Sequence, residues 1–125
     1  MIYSKGDALV SLRPMAAWSW LGGEEYSNLS WIDSKQTKPT EDEINTEVTR
    51  LNNAEPMRLL RVERNKRLAS CDWVCTKAID TGVAVSDTWK TYRQALRDLP
   101  ASASPKLNSE YELDLTSVTW PTEPS

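Results

Sequence analysis

The 125-residue sequence contains no histidine, no phenylalanine and only two cysteines. Without histidine, the Ser-His and Cys-His arrangements that activate a nucleophile are excluded. Cys71 and Cys75 have three residues between them, so the sequence indicates neither a CxxC redox motif nor a zinc site. We interpret both cysteines as buried free thiols, and we expect no metal or other cofactor.

Long apolar runs are also missing. No stretch approaches the roughly 18 apolar residues that a membrane-spanning helix needs, and the opening MIYSKGD lacks the apolar segment of a signal peptide. We therefore expect a cytosolic chain with no membrane partner. Its length suffices for one compact domain or one to two small lobes.

Six tryptophans supply much of the large apolar volume. Because they are spread along the chain, they indicate core filling in each segment. The alternative is that one or two of them anchor a partner, since tryptophan is enriched where protein interfaces bind most tightly. The six are Trp18, Trp20, Trp31, Trp73, Trp89 and Trp120.

Residues 1–38 predict a small helix followed by a β-hairpin. Asp7 is a suitable N-cap for a short helix of about two turns that stops before Pro14. The stretches 17–21 and 26–32 alternate in polarity on either side of Gly22-Gly23, which is typical of a hairpin. Since an isolated two-stranded hairpin is marginal in water, it must lie against a helix or another chain.

Residues 39–100 predict three helices. Thr40 and Glu43 form a capping box for the first, which runs to about Asn53. The second spans about Pro56 to Ser70, with proline in its first turn. Because few residues separate them, the two either pack as a hairpin or form a kinked, near-continuous rod.

Arg64 lies in the middle of the apolar face of the second of these helices, with Leu60, Leu68 and Cys71 at spacings of four, four and three. It is either an edge residue whose methylene stem covers the core, or a buried arginine held by a carboxylate or backbone carbonyls.

A loop containing Gly82 is expected after Trp73, until Ser86 caps a further helix that ends before Pro100. In the tail, the alternation of residues 111–115 predicts an edge-like strand. The predicted fold is therefore α+β and mainly α. It has a helix and β-hairpin lobe, a three-helix lobe and an extended tail, at residues 1–38, 39–100 and 101–125.

Charge is distributed unevenly. The total is -3, but residues 51–100 carry nine basic and six acidic side chains. The basic run 58–67, RLLRVERNKR, either offsets the acidic ends of the molecule, binds nucleic acid, or binds a protein with an acidic or carbonyl-rich surface. The acidic overall balance and the absence of a helix-turn-helix pattern argue against a nucleic-acid partner.

Positive signals for catalysis are absent as well. Gly22-Gly23 has neither the spacing nor the Lys-Ser/Thr of a phosphate loop. Asp72 and Asp80 are the only carboxylates in an apolar and aromatic setting, and Asp72 is more simply a capping residue at a helix end. We expect that the chain is not an enzyme.

The C-terminal half carries three motifs, whose residues are Arg61, Arg64, Asn65, Leu68, Asp72, Trp73, Trp89, Tyr92, Arg93, Leu96, Arg97, Leu99, Pro100, Trp120 and Pro121. These motifs resemble those of bacteriophage tail fibre assembly proteins, also called tail assembly chaperones. The family pattern is an Arg-x-x-Arg-Asn element with Leu and Asp-Trp, then a Trp-x-x-Tyr-Arg-x-x-Leu-Arg-x-Leu-Pro helix, then Trp-Pro. The first half is similar to forms with an Arg-Pro turn, a tryptophan hairpin and a Pro-Thr-x-x-Glu helix start.

Two segments depart from that pattern. Between Trp73 and Trp89 the family has a short loop with proline and aspartate, where this chain has VCTKAIDTGVAVSDT. The stretch 102–117 is longer than the usual link to the final Trp-Pro.

The resemblance implies a chaperone that binds a trimeric tail fibre polypeptide and assists its folding or trimerisation in the cytoplasm of the infected bacterial host. It either leaves after assembly or stays on the fibre tip. A permanent component of the fibre or baseplate is the alternative, and a small nucleic-acid-binding regulator is the alternative of another class. Homo-oligomerisation is left open.

The resemblance also implies roles for particular residues. The helical lobe is expected to be the scaffold, while the hairpin and the Trp120 tail present the binding surface, with a free hairpin edge suited to strand addition. The candidate motif and partner-binding residues are Arg64, Asn65, Asp72, Trp73, Trp89, Arg93, Arg97, Trp18, Trp20, Trp31 and Trp120.

Overall fold

Four α-helices and one two-stranded sheet form the structure, a computed structural model that describes residues 2–125. The predicted α+β, mainly α class is confirmed. The elements in order are α1 (Lys5–Leu12), β1 (Trp18–Trp20), β2 (Leu29–Trp31), α2 (Glu41–Ser70), α3 (Trp73–Thr81) and α4 (Asp87–Ser102), with 3-10 turns at Tyr26–Asn28 and Leu115–Ser117.

The chain divides into two compact units, an N-terminal unit, Met1–Glu55, and a C-terminal unit, Pro56–Ser125. The division into lobes 1–38 and 39–100 and a tail 101–125 stays a prediction.

The N-terminal unit has a core contributed by α1, the hairpin and α2. Its buried residues are Ala8, Leu9, Leu29 and Ile44. The expectation that Asp7 caps α1 was wrong: Ser4 is the N-cap, and Asp7 sits three residues in, where its carboxylate accepts from the Ser4 N–H at 2.8 Å. The side chains of Ser4 and Asp7 each accept a hydrogen bond from the backbone N–H of the other residue, which is a capping box.

The hairpin pairs β1 with β2 antiparallel, Trp18 opposite Trp31 and Trp20 opposite Leu29. These four residues share one side of the sheet, because opposite residues in an antiparallel pair point to the same face. Their side chains pack on the core of this unit. The predicted hairpin is therefore confirmed, and it lies against helices of its own chain.

One continuous helix, α2, replaces the two helices that were predicted on either side of Pro56. Thr40 Oγ accepts the Glu43 N–H at 3.1 Å, which confirms Thr40 as the predicted N-cap. The other half of the predicted capping box was wrong, because the Glu43 carboxylate contacts Arg13 at 3.4 Å instead of the Thr40 N–H. A helical hairpin is excluded by this continuity. The chain passes through Pro56, which breaks only one i to i-4 hydrogen bond of the helix.

The C-terminal unit contains α3, where the sequence predicted a loop. Val74 is buried, and Gly82 ends the helix in the left-handed conformation, with φ at 71° and its N–H donating to Ala78 O at 3.0 Å. A glycine at this position is a common helix stop. Burial of Val74 offsets the low helix propensity of the β-branched residues in this segment.

Two further expectations for this unit were wrong. Helix α4 continues past Pro100 to Ser102 instead of stopping before it. Residues 111–115 form no strand: Tyr111 has a positive φ of 62°, and Leu113 makes only an isolated bridge with Leu107. The tail is instead a series of turns, in which Asp114 caps the Leu115–Ser117 turn.

Candidate partner-binding site

Arg64 joins α2 to the end of α4 within the C-terminal unit. Its Nε donates to Asn65 Oδ1 at 2.8 Å, and its Nη1 donates to the backbone carbonyl of Arg97 at 3.2 Å. The side chain is half-buried. Arg64 therefore combines parts of the two predicted alternatives. It lies at the edge of the core, and a backbone carbonyl, not a carboxylate, accepts its hydrogen bond. The Arg97 side chain is exposed and donates to Gln94 at 2.9 Å.

Arg93 is the most connected of the predicted arginines. Its Nη1 donates to Leu68 O and to Cys71 Sγ, both at 3.1 Å, and its Nη2 donates to Asp72 Oδ1 at 3.0 Å. Burial lowers the pKa of Arg93, but the hydrogen bonds to Cys71 and Asp72 outweigh burial and leave it above the ordinary value. Asp72, at the N-cap position of α3, therefore has a partner from α4.

Three aromatic rings form an edge-to-face ladder beside these arginines. The ring centroids of Trp73 and Trp89 are 5.5 Å apart, and those of Trp89 and Tyr92 are 5.9 Å apart. Tyr92 is buried, and burial, together with the nearby Glu123 carboxylate, raises the pKa of its hydroxyl. Trp73 closes the ladder at the surface and is 52% exposed.

Trp120 fixes the tail to the core of the C-terminal unit. The Arg67 guanidinium lies 4.0 Å from the centre of its ring, and the indole N–H donates to Leu115 O at 3.2 Å. The indole also packs against the buried cluster that contains Cys71 and Leu96. A cation over an indole face is a favourable contact. The structure thus gives Trp120 an anchoring position.

The hairpin tryptophans are half-buried and tied into the N-terminal unit. The indole N–H of Trp20 donates to Glu25 O, and that of Trp31 donates to Gln36 O, both at 2.9 Å. The rings of Trp18 and Trp20 meet edge to face at 6.4 Å. These three indoles shape the hairpin and leave only part of their surface to solvent.

Sequence reasoning missed an apolar surface beside the open end of the hairpin. Val10, Met15 and Ile32 are all exposed, and the Met15 side chain is 99% exposed. They line one shallow cavity together with Ala17 and Trp18. Met15 has a positive φ of 65°, which is uncommon for a residue with a side chain. The signal in the sequence was the Pro14-Met15 step after a helix, which marks a turn.

The outer edge of β1 adds backbone groups to this apolar surface. Ile32 N–H donates to Ala17 O at 3.0 Å, so, by the alternation of antiparallel pairs, the N–H and C=O of Trp18 and Trp20 point away from β2. In residues 2–125 no third strand joins this sheet. The edge has the geometry that strand addition uses.

Two kinds of feature are absent from the part of the chain that the structure describes. No described group of three or more histidine, cysteine, aspartate or glutamate residues is arranged to hold a metal ion. Of the helices formed by residues 2–125, none has the length and apolar content needed to cross a membrane.

The structure is thus that of a helical scaffold with an exposed apolar surface and a free strand edge. A family profile described as phage tail assembly chaperone protein matches residues 57–125, more than half of the chain. The chain therefore belongs to the phage tail assembly chaperone family, as the resemblance of its motifs implied. Comparisons with curated proteins and with solved structures gave no match.

The family sets the general role of the chain. It is a phage tail assembly chaperone, its partner is a tail protein, and assembly takes place in the host cell. The matched region, 57–125, covers nearly all of the C-terminal unit, while the hairpin lies outside the match.

Proposed function

We propose that this chaperone binds the tail fibre polypeptide and assists its folding or trimerisation, without catalysing a reaction. The observation that carries the proposal is the exposed apolar surface beside the free β1 edge, in a chain whose C-terminal unit matches the chaperone family. A surface of this kind suits an extended polypeptide that has not yet found its own strand partners.

The physical need for such a partner follows from the fibre. Long intertwined β-rich chains depend on non-local pairings, which form slowly and leave strand edges exposed to aggregation. A protein that binds those edges before trimerisation lowers the concentration of the aggregation-prone species by mass action. Neither a nucleotide nor a chemical step is required.

The two units take different parts in this proposal. The C-terminal unit is the scaffold, in which Arg64, Arg93 and Trp89 hold its helices together. The hairpin presents the main binding surface. The tail is a second contact region. Trp120 anchors it to the core, and Leu115, which precedes Trp120 in the tail, is exposed to solvent.

Co-expression with the fibre gene tests the proposal. We expect the chaperone to raise the yields of soluble fibre and of trimer, and we expect Met15→Ser with Ile32→Ser to reduce fibre capture about tenfold. Val62→Ser, which removes an exposed apolar side chain of α2, is the matched control and should change nothing. If fibre solubility and trimer yield are the same without the protein, the proposal fails.

The fate of the protein after assembly is a separate measurement. Mass spectrometry of purified virions distinguishes a chaperone that leaves from one that stays on the fibre tip. A chain found in virions, with fibre yields that do not depend on it, would instead be a permanent structural component.

A further inference from the structure

The C-terminal unit has an apolar groove between α3 and the start of α4. Its floor includes the buried Val74 and the half-buried Trp89, and its walls include Trp73 and Val83, which is 68% exposed. The groove has a volume of about 260 Å³. Sites for small molecules span about 300–1,000 Å³, so this one suits one or two side chains of a peptide better than a free small molecule.

One charged residue lies among the groove-lining residues. Lys77 is exposed and makes no ion pair with any other residue in the described range 2–125. The hydroxyls of Thr81 and Ser86 are the other polar side chains at the groove. An unpaired ammonium beside an apolar wall is complementary to a carboxylate that is next to an apolar side chain.

The backbone beside the groove is also available. Between Gly82 and Ser86 the chain forms neither helix nor strand, and the N–H and C=O groups of Ala84 and Val85 make no hydrogen bond within residues 2–125. Ser86 is extended, with φ at -63° and ψ at 155°. Free main-chain groups beside a side-chain pocket can hydrogen-bond the main chain of an extended peptide while the pocket takes one of its side chains.

We propose that this groove binds an extended segment of the tail fibre polypeptide that carries a large apolar side chain next to an aspartate or glutamate. The apolar side chain lies between Trp73 and Val83, and the carboxylate pairs with Lys77. The main chain of the segment bonds to Ala84 and Val85. The inference rests on the proposed function and adds a third contact region, after the hairpin and the tail, on the unit that matches the family.

Overlapping synthetic peptides that cover the tail fibre sequence of the same phage provide the probe, with binding to the full-length protein followed by fluorescence polarisation. We expect peptides with an acidic-apolar pair to bind, and Val83→Ser and Lys77→Glu each to weaken them about tenfold. Ile79→Ser removes a side chain that is 86% exposed on α3 outside the groove, and Lys90→Glu reverses a charge on α4. Both controls should bind as the wild type does.

Several outcomes would overturn the groove proposal. They are unchanged binding by Val83→Ser or Lys77→Glu, equal binding of peptides whose carboxylates are replaced by amides, and self-association of the wild type that Val83→Ser abolishes. If these occur while wild-type protein still raises the fibre trimer yield, only the groove fails. If wild-type protein neither captures the fibre nor changes its yield, the proposed function fails and the groove proposal falls with it.

Discussion

Arg93 on α4 donates a hydrogen bond of 3.1 Å to the buried sulfur of Cys71, the residue that follows the last turn of α2. The same Nη1 donates to Leu68 O, and Nη2 donates to Asp72, so one guanidinium satisfies groups on both sides of the turn into α3. Its side chain is 15% exposed. The planar fork of arginine fits this arrangement and the point charge of lysine does not.

We therefore expect Arg93→Lys to lower the free energy of unfolding by about 1–3 kcal/mol, since the buried Cys71 sulfur and the part-buried Leu68 carbonyl lose a charged donor and Asp72 loses its ion pair. Urea unfolding measures the change. Arg97→Lys is the control on the same helix, because its exposed side chain hydrogen-bonds to Gln94 and to no other residue within 2–125, and it should cost less than about 0.5 kcal/mol. Equal losses in the two variants would show that the Arg93 contacts add no stability.

Trp120→Ala tests whether the tail is fixed to the core. The change removes an indole that packs on the buried cluster, lies under Arg67 and bonds to Leu115 O. We expect a loss of about 2–4 kcal/mol, somewhat below that of a fully buried tryptophan, and faster proteolysis within residues 103–125.

Trp120→Phe keeps an aromatic face for Arg67 and loses the N–H, so it should cost about half as much. Thermal unfolding ranks the two variants. A tail that is cleaved at the wild-type rate in Trp120→Ala would contradict the anchoring position of this residue.

Glu47 connects α2 to α1 in the N-terminal unit and should make stability depend on pH. The residue is 7% exposed, its carboxylate accepts from Ser11 Oγ at 2.6 Å, and Arg50 Nη2 donates to it at 3.0 Å. The hydrogen bonds from Arg50 and from Ser11 hold the pKa of Glu47 below its ordinary value. The stabilisation is thus present above the unfolded pKa of about 4.3 and is lost as pH falls below it.

In the Glu47→Gln variant, we expect lower stability at neutral pH and a shallower fall in stability below about pH 4.3. Thermal unfolding measured from neutral to acidic pH shows both effects. Asp33 and Asp114 also have lowered pKa values, from hydrogen bonds to backbone and hydroxyl groups, and remain in both proteins. The difference between the two curves therefore reports Glu47, and Glu41→Gln at an exposed position controls for the loss of one charge. Parallel curves would contradict the assignment.

The sequence allowed good prediction of the elements with local signals. Thr40 and Ser86 mark helix starts, and the alternation of tryptophans around Gly22-Gly23 predicts the hairpin, whose register the structure then supplies. Helix α3 was missed because Val74, Thr76 and Ile79 are weak helix formers, and only tertiary burial of Val74 reveals the apolar face. Gly82 was the available signal, since a glycine often ends a helix.

The candidate binding surface was harder to predict from the sequence than the helical scaffold. Arg64, Arg93 and Trp89 belong to recognisable motifs, but exposure of Met15 and Val83 depends on which neighbours the fold brings near. Apolar residues in a sequence predict burial, and an exposed one is recognised only in three dimensions. For the same reason, period-two spacing in the tail suggested a strand, although Tyr111 adopts a left-handed turn conformation there.

Pro56 offers the last test, because α2 runs without interruption through a residue that disfavours helix interiors. Proline lacks the N–H that would donate to the carbonyl of residue 52, and its ring crowds the preceding turn, at a cost of about 3 kcal/mol in a helix interior. Pro56→Ala restores the donor and loses some packing of a half-buried ring, so we expect the free energy of unfolding to rise by about 1–2 kcal/mol.

Asn53→Ala, at an exposed position of the same helix, is the control. It measures the gain from helix propensity alone, which is below about 0.7 kcal/mol. Urea unfolding compares the two. If Pro56→Ala is no more stable than Asn53→Ala, packing of the proline ring offsets the missing hydrogen bond. Pro56 then lies within α2 without a net loss of stability.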